Sequence, residues 1–427
     1  MKRNEFLRNA GLLAGSSLIF QNSIYAKSSA SIKVGLIGVN GMGWSDLNAI
    51  LKVENVTCTA LCDVDENILD KRVEELGKRD IKVNRYIDYK DLLKDSQIDV
   101  VIIGTPDHWH CLMLVDAVKA GKHVYVEKPL GNSIKECEVM VSAAKQYNKL
   151  VQVGQWQRSQ QHFRDAINFV QSGKLGKIRL VKAWAYQGWM KSIPIKPDEQ
   201  APKGVHYDKW LGPARNRPFN PNRFHFDFRW FWDYAGGLMT DWGVHMLDFA
   251  LIGMKVSNPI SITASGGKFA YPEDAAETPD TLTTVFQFKD FNLQWEQATG
   301  IDQGPYGKDH GVSFIGNNGT LVLNRGGWEV IAEKGRMEPI ASQLSKDNGL
   351  ELHMENFVQA IRSKNKNILH APIETGAHIA ILSQMGNVAY RTGEKLQWDA
   401  EKRNFTSSKA NEYLLSSYHN GYELPKI

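Results

Sequence analysis

Short apolar runs alternate with amphipathic stretches through the first 155 residues. Each run is rich in Val and Ile and is six to nine residues long, which is typical of strands buried on both faces. Repeated strand–helix units with short connections predict an α/β fold, a doubly wound parallel (Rossmann) sheet over residues 31–155. The predicted elements are IKVGLI (32–37), VTCTALCDV (56–64), DVVIIG (99–104), a helix at Leu112–Ala120, HVYVEKPLG (123–131) and LVQVGQ (150–155).

The pattern changes after Gln155. A helix is predicted from Phe163 to Ser172, and short strands joined by tight turns follow it. Successive hairpins predict an α+β domain with an open, mostly antiparallel sheet over residues 156–427. Its strands are IRLVKAWA (178–185), PISITASGG (259–267), TLTTVFQFKD (281–290), FNLQWEQATG (291–300), GVSFIG (311–316) and GTLVLN (319–324).

Two further helices and a tail complete this domain. Helices are predicted at Glu351–Ser363 and Glu374–Arg391, and the second is expected to return to the nucleotide domain. The last stretch (411–425) is predicted to be ordered and to reach a neighbouring subunit. The sheet face that the helices leave open predicts a homo-oligomer, a dimer or a tetramer.

Composition excludes several classes of protein. The chain has 427 residues, 42% of them hydrophobic and 23% charged, and a formal charge of +4, so it offers no basic field for nucleic acid. No segment after the leader is apolar for long enough to span a bilayer. The four cysteines form no CxxC pair and match no zinc framework, so we predict no metal site. Cys58 and Cys62 are expected on one face of a strand, where burial explains them.

Residues 1–30 have the layout of an export signal. A basic start, MKRNEFLR, precedes an apolar run from Gly11 to Phe20 and then small residues near Ala26 and Ala30. The start resembles a twin-arginine signal, with Asn4 where the second arginine belongs. We therefore predict a periplasmic protein, or a cytoplasmic one if the leader does not function.

A dinucleotide site is predicted at the end of the first strand. Residues 38–43 (GVNGMG) form a glycine turn before a helix, and Asp63 ends the second strand. In this arrangement Gly38, Asn40, Gly41 and Met42 approach a pyrophosphate, and the acid takes the ribose hydroxyls. Asn40 replaces the middle glycine, but Asn tolerates a positive φ. No arginine follows Asp63, which favours NAD over NADP.

More polar residues follow the later strands, at the edge where ligands bind in open α/β sheets. Thr105 and His110 lie in TPDHWH (105–110), and Glu127 and Lys128 lie in HVYVEKPLG. We expect all four to contact the cofactor, although the histidine can equally pack over it. Lys128 can also bind a substrate hydroxyl and stabilise charge on its oxygen, or be an idle surface lysine.

A second set of candidates lies in Ala235–Asp248 (AGGLMTDWGVHMLD). On a helix, Asp241, His245 and Asp248 fall on one face, so a carboxylate one turn before an imidazole can orient a general base. The alternatives are a capped helix with a satisfied polar histidine, or half of a metal site.

The long insertion between the first two strands of the second domain, Gln187–Gly237, is dense in aromatic residues. Such rings stack on the CH-rich faces of pyranoses, while arginines and acids bind hydroxyls, so a sugar pocket is predicted with Arg158, Arg229, Trp232, Asp241 and His245. The alternative is that most rings form a satellite core.

The chain resembles the glucose-fructose oxidoreductase/inositol dehydrogenase (Gfo/Idh/MocA) family, exported bacterial type, on the motifs GVNGMG, TPDHWH, EKP (127–129) and FRWFWDYAGG, and on the Asp241/His245 pair. The resemblance implies a catalytic group of Lys128, Asp241 and His245, a nicotinamide cofactor and a carbohydrate or polyol substrate. We expect tightly bound NAD to accept hydride from a secondary hydroxyl. Two alternatives stay open: an NAD-dependent glycosidase that oxidises the sugar transiently, and a non-catalytic sugar-binding protein.

Overall fold

The computed structural model describes residues 31–427, so the predicted export signal lies outside the described residues. Within them, the first 123 residues form a parallel sheet in the order β3-β2-β1-β4-β5-β6. This order confirms the doubly wound prediction, and its direction reverses between β1 and β4, which is where ligands bind in such sheets. The strands are β1 (Ile32–Ile37), β2 (Val56–Cys62), β3 (Asn84–Tyr86), β4 (Val100–Ile103), β5 (His123–Val126) and β6 (Val151–Val153).

Helices cover both faces of this sheet. Val34, Leu36 and Ile102 point into one apolar layer, whereas Ile37, Val101 and Ile103 point into the other. The five helices of this part are α1 (Gly41–Ile50), α2 (Glu66–Gly77), α3 (Tyr89–Leu93), α4 (His110–Lys119) and α5 (Ile134–Gln146).

The two cysteines of β2 lie on opposite faces, so the expectation of a shared face is wrong. Val34 of β1 pairs with Cys58 but Gly35 pairs with Ala60, so Thr59 is an extra residue in the ladder. Such a bulge reverses the alternation of side chains beyond it. Cys58 therefore packs in one layer and Cys62 in the other.

The second sheet has the order β14-β13-β12-β11-β7-β10-β9-β8, and all neighbours are antiparallel except β7 and β10. It confirms the predicted open, mostly antiparallel sheet, including the turns after Gln287 and Gly316. The last two strands on one side of the sheet, β13 and the edge strand β14, were not predicted. The strands are β7 (Ile178–Gln187), β8 (Ser261–Gly267), β9 (Thr281–Gln287), β10 (Asn292–Thr299), β11 (His310–Gly316), β12 (Gly319–Asn324), β13 (Gly327–Ala332) and β14 (Ile340–Leu344), with a short pair, β15 (Trp398–Asp399) and β16 (Asn404–Phe405).

The helix expected around residues 238–252 is two helices, α8 (Gly237–Asp241) and α9 (Gly243–Met254). The amide of His245 donates to the carbonyl of Trp242 at 3.0 Å. This bond spans three residues, a tighter turn than the four-residue spacing of an α-helix. The remaining helices are α6 (Gln161–Gln171), α7 (Tyr207–Leu211), α10 (Gly349–Ser363), α11 (Ile373–Thr392) and α12 (Ser408–Asn411), in sequence order around these two.

Two helices and the tail of the second domain return to the first domain. Met354 and Phe357 of α10 pack in the same apolar layer as Val34, and Ile373 and Ala377 of α11 pack in the other layer. Only the second of these returns was predicted. The tail packs on its own chain, where Tyr418 Oη donates to Glu136 Oε1 at 2.7 Å, and its contact with a neighbouring subunit stays a prediction.

Three further sequence predictions concern surfaces and thiols. In the part of the chain from 31 onward, no helix combines the length and apolar character needed to cross a bilayer. The four cysteines are buried free thiols. Leu180 and Ile331 are about half exposed on the sheet face opposite the helices, and oligomerisation through that face stays a prediction.

Candidate active site

A cavity of about 310 Å³ lies at the carboxyl ends of β1, β2, β4 and β5, and side chains of the aromatic insertion close its other side. This cavity, called the cleft below, joins residues that are far apart in the sequence. Of the predicted site residues, those that line it are Gly38, Asn40, Gly41, Met42, Asp63, Thr105, Glu127, Lys128 and Arg229.

The glycine turn is shaped for a ligand that approaches the backbone. Gly38 has φ +84°, and a Cβ on Gly43 would overlap the carbonyl oxygen of Gly38. Asn40 has φ −106°, so it needs no tolerance of positive φ, because Gly41 takes the left-handed conformation instead (φ +49°). Asn40 does not cap α1 with its side chain, so the first amides of that ten-residue helix stay free for an anion.

The backbone holds Asp63 at the edge of the cleft. Its carboxylate accepts hydrogen bonds from the amides of Val39 (2.9 Å) and Asp65 (3.0 Å). Burial raises the pKa of Asp63, and these two amides oppose the rise. The carboxylate therefore has a fixed position beside the turn, where a ribose would lie.

His110 is not a cofactor contact. It is fully buried, and its two ring nitrogens lie 2.8 Å from the carbonyl of Pro129 and 2.9 Å from that of Thr105. The ring thus ties the loop after β4 to the loop after β5. It positions Thr105 and Lys128, which do line the cleft, and this corrects its predicted role.

Lys128, Asp241 and Arg229 form a charged cluster at one end of the cleft. Lys128 Nζ lies 2.7 Å from Asp241 Oδ1 and also donates to the Asp241 carbonyl at 3.1 Å, while Arg229 Nε lies 3.4 Å from the same Oδ1. Burial would raise the pKa of Asp241, but the two cations outweigh it and lower that pKa to about 2. The cluster therefore keeps one negative charge between two positive ones.

His245 lies one turn beyond this cluster, and 4% of its surface is exposed. The rings of Trp156 and Trp242 flank it edge-on, with centroids 6.5 and 6.2 Å away. Burial first, and then the charges of Lys128 and Arg325, hold the pKa of His245 well below its usual range. The imidazole is therefore neutral at neutral pH.

The expected hydrogen bond from Asp241 to His245 is not formed. Asp241 Oδ1 is taken by Lys128 and Arg229, and His245 Nδ1 is buried without a partner among residues 31–427. The prediction that the Asp241 carboxylate orients the imidazole of His245 is therefore wrong. Lys128 lines the cleft and contacts Asp241, whereas Asp241 and His245 are not among the residues that line it.

Arg158 and Trp232 do not line the cleft. Arg158 binds Asp248 in a bidentate pair, with Nη2 and Nε 2.5 and 2.7 Å from the two carboxylate oxygens. Trp232 donates its indole N–H to the Glu277 carbonyl at 3.0 Å, and the guanidinium of Arg391 stacks on its ring. Both predicted substrate contacts are therefore structural, because each already has a partner in the protein.

Two residues at this end were missed. Asp107 lines the cleft inside the TPDHWH motif, and burial raises its pKa to about 8. Its place after β4 could have identified it. Arg325 lies in the β12–β13 turn, with its guanidinium stacked 4.9 Å from Trp156 and 4.5 Å from Trp242, and with Nε buried and unpartnered. No local pattern marks that arginine.

The residues present fit a dinucleotide and not a metal ion. The glycine turn, the free amides of α1 and the carboxylate of Asp63 are the donor and acceptor set that a pyrophosphate and a ribose need. In the described part of the chain, no group of three or more His, Cys, Asp or Glu side chains could hold a metal.

Two family models match the chain. The one described as an oxidoreductase family, NAD-binding Rossmann fold, matches residues 32–155, and the one described as an oxidoreductase family, C-terminal alpha/beta domain, matches residues 177–423. These matches together cover both sheets. The N-terminal part is therefore an NAD-binding Rossmann domain.

Individual relatives match less of the chain or at lower identity. A protein named glycosyl hydrolase family 109 protein 1, from Shewanella sp. (strain ANA-3), is 34% identical over 123 residues, 28% of this chain and only 27% of that relative. The solved aldose-aldose oxidoreductase from Caulobacter crescentus, complexed with glycerol, is 18% identical with a TM-score of 0.64, over 86% of this chain and 99% of that one. The scyllo-inositol dehydrogenase from Lactobacillus casei, with NAD(H) and scyllo-inositol, is 22% identical with a TM-score of 0.62 over the same shares. At such identities the two structures show a shared fold.

Proposed function

The chain belongs to the Gfo/Idh/MocA oxidoreductase family, and from that premise we propose that it is an NAD-dependent oxidoreductase acting on a secondary hydroxyl of a sugar, glycoside or cyclic polyol. The observation that carries the proposal is the cluster at the end of the cleft. Lys128 lies 2.7 Å from Asp241, and the neutral His245 lies one turn further along. A cation that lines the cleft, with a neutral imidazole one helical turn beyond its carboxylate partner, offers the two groups that oxidation of an alcohol requires.

The cofactor would be held by the first domain. The free amides of α1 would bind the pyrophosphate, and Asp63 would accept from the ribose hydroxyls, which favours NAD over NADP. When bound, the nicotinamide supplies the acceptor for the hydride that leaves the alcohol carbon. Met42, Thr105 and Glu127, which also line the cleft, would shape the space around it.

The protein's own groups would handle the proton. His245, kept neutral by burial and by nearby cations, would accept the hydroxyl proton. Lys128 would donate a hydrogen bond to the same oxygen and stabilise the charge that develops on it. Asp241 would hold that ammonium in place through its carboxylate and its carbonyl, and Arg229 would fix the carboxylate from the other side.

Location and assembly remain part of the proposal. The leader (1–30) would export the protein to the periplasm, where free NAD is not replenished, so we expect NAD to be bound tightly and to be reset by a second substrate or by reversal. The sheet face that carries Leu180 and Ile331 would form a homo-oligomer.

Mass spectrometry of products tests this function. Purified protein is incubated with a mixture of pyranoses, pyranosides and inositols, and a product two hydrogens lighter than its substrate is expected. The matched variant His245→Asn should give none at equal NAD content. Absence of any such product, with NAD bound and the fold intact, would refute the oxidoreductase proposal.

A second candidate is an NAD-dependent glycosidase. It is supported by the partial match to a protein named as a glycosyl hydrolase, and by Asp107, an acid with a pKa raised to about 8 that could protonate a leaving group. Aryl pyranosides separate the two functions. Release of the aglycone with no accumulation of reduced cofactor would favour the glycosidase.

A further inference from the structure

The aromatic insertion separates the cleft from a second cavity of about 230 Å³. This second cavity lies between the insertion, the loop from 268 to 280 and the end of β10. It has no part in the chemistry proposed above. Its lining includes Trp189, Phe226, Asp227, Trp230, Tyr271 and Thr299.

One short 3₁₀ helix, His225–Trp230, forms the wall between the two cavities. Side chains three residues apart share a face of such a helix. His225 and Phe228 accordingly line the cleft, whereas Asp227 and Trp230 line the second cavity. Phe226 lines both, so the two spaces adjoin at its ring.

The rim of the second cavity carries exposed aromatic rings. Trp189 is 57% exposed and Phe226 is 50% exposed, and their rings meet edge to face with centroids 5.9 Å apart. Paired large rings held open to solvent are typical of a ligand-binding surface. Their apolar faces suit the CH face of a pyranose.

Polar groups inside the cavity remain free to bind hydroxyls. Asp227 and Thr299 both line the cavity, and Thr299 Oγ1 is buried with no hydrogen-bond partner in the described chain. By contrast, Asp280 already accepts from the amides of residues 269–271, so it is structural. An acceptor and a hydroxyl near aromatic rings form a carbohydrate-binding set.

The second cavity is also linked to the charged cluster. Arg229 stacks on Phe226 at 4.6 Å and donates to its carbonyl at 3.0 Å, and Arg229 Nε lies 3.4 Å from Asp241. Two side chains therefore connect the rim of the second cavity to the group that holds Lys128. Lys128 and Phe226 both line the cleft, and Arg229 lies between the carboxylate that binds Lys128 and the ring of Phe226.

We propose that this second cavity binds the second pyranose ring of a disaccharide whose first ring is oxidised beside Lys128 and His245. The proposal rests on the proposed function for the position of the first ring. It names the substrate class as disaccharides in preference to free monosaccharides.

Calorimetric binding to the NAD-loaded full-length protein tests it without requiring turnover. The probes are gluco-, galacto- and N-acetylhexosamine disaccharides, each paired with its parent monosaccharide. We expect Trp189→Ala to weaken disaccharide binding about tenfold, because the variant loses one stacked ring. The same variant should leave monosaccharide binding within twofold of wild type. Asp227→Asn should weaken the disaccharide alone by a smaller factor. Phe269→Ala, a 70% exposed ring outside the cavity lining, is the matched control and should change neither.

The results separate this proposal from the proposed function. Selective loss of disaccharide affinity in Trp189→Ala supports the second-ring site even if no sugar is oxidised. If no disaccharide binds wild type more tightly than its parent monosaccharide, or if the variant loses both equally, the second-ring site is overturned. Sugar oxidation can persist in that case, and the product masses report it independently.

Discussion

The two walls of the cleft are built from different kinds of contact. On the wall from residues 31–155, backbone groups fix the ligand-facing side chains, as the amides of Val39 and Asp65 fix Asp63. On the wall from the second domain, side chains bind each other, as Arg229 and Asp241 do, or keep buried atoms without a partner, as His245 Nδ1 does. On the first wall these backbone contacts fix the shape of the glycine turn and the position of Asp63, whereas burial raises the pKa of Glu127 to about 7 and that of Asp107 to about 8 on the same wall.

This difference separates binding from chemistry. A wall of backbone contacts changes little with the sequence around it and suits a ligand common to a whole family. A wall of mutually paired or unpartnered side chains can change its protonation and its preference for a substrate, because each group responds to its neighbours. The predictions below perturb one wall at a time.

The largest effect is expected on the second wall. His245→Asn should lower kcat about 10³-fold, within the range for loss of a general base, because the asparagine cannot accept the hydroxyl proton. The dissociation constant for NAD should stay within threefold of wild type. Steady-state rates and NAD titration measure the two quantities.

His378→Gln is the control for that variant, since His378 also keeps a buried ring nitrogen without a partner and does not line the cleft. It should retain kcat. An equal loss of activity in both variants, or weakened NAD binding in His245→Asn, would erase the distinction between the walls.

The second effect is on stability. Arg158→Met should lower the free energy of unfolding by about 3–5 kcal/mol, because it leaves Asp248, whose side chain is 1% exposed, as an unpaired buried charge. Urea unfolding measures this loss. KM for the sugar should change less than threefold, and a large rise in KM would restore the sequence-based role of Arg158 in the substrate site. Lys78→Met breaks an exposed pair with Glu74 and should leave the urea midpoint close to that of wild type, because solvent screens such pairs.

The third effect is on the first wall. Gly43→Ala should weaken NAD binding about 10–100-fold, since the added methyl overlaps the carbonyl of Gly38 and an overpacked site costs about 1–3 kcal/mol. Fluorescence titration with NAD checks this. Gly77→Ala has open space around the new methyl and should bind NAD as wild type does. Unchanged binding in Gly43→Ala would show that the turn is less fixed than its contacts indicate.

The first wall could be predicted from sequence because its signals are local. A strand, a glycine turn, a helix and an acid follow one another within residues 32–63, and Gly41 and Asp63 both line the cleft. Even there, the local pattern did not show that carbonyls occupy both nitrogens of His110. It also did not reveal the bulge that turns Cys58 away from Cys62.

The second wall could be predicted only as a list of residue types. Helical spacing placed Asp241 beside His245, but the helix ends at Asp241, and its carboxylate pairs with Lys128 and Arg229 from other segments. Likewise Arg158 pairs with Asp248. Such pairings depend on packing between distant parts of the chain, which spacing within one element does not encode.

The smallest effect concerns Asp107, a titrating carboxyl on the otherwise fixed first wall. Burial raises its pKa from 3.8 to about 8, so the folded protein holds a proton that the unfolded chain releases. The stability from that neutral carboxyl is full below pH 3.8 and is lost as pH rises to about 8. Asp107→Asn is neutral throughout, so its melting temperature should rise relative to wild type between pH 5 and pH 8, by about 1 °C for each kcal/mol that the wild type loses, and then level off. A constant difference between Asp107→Asn and wild type over this pH range would contradict the raised pKa of Asp107.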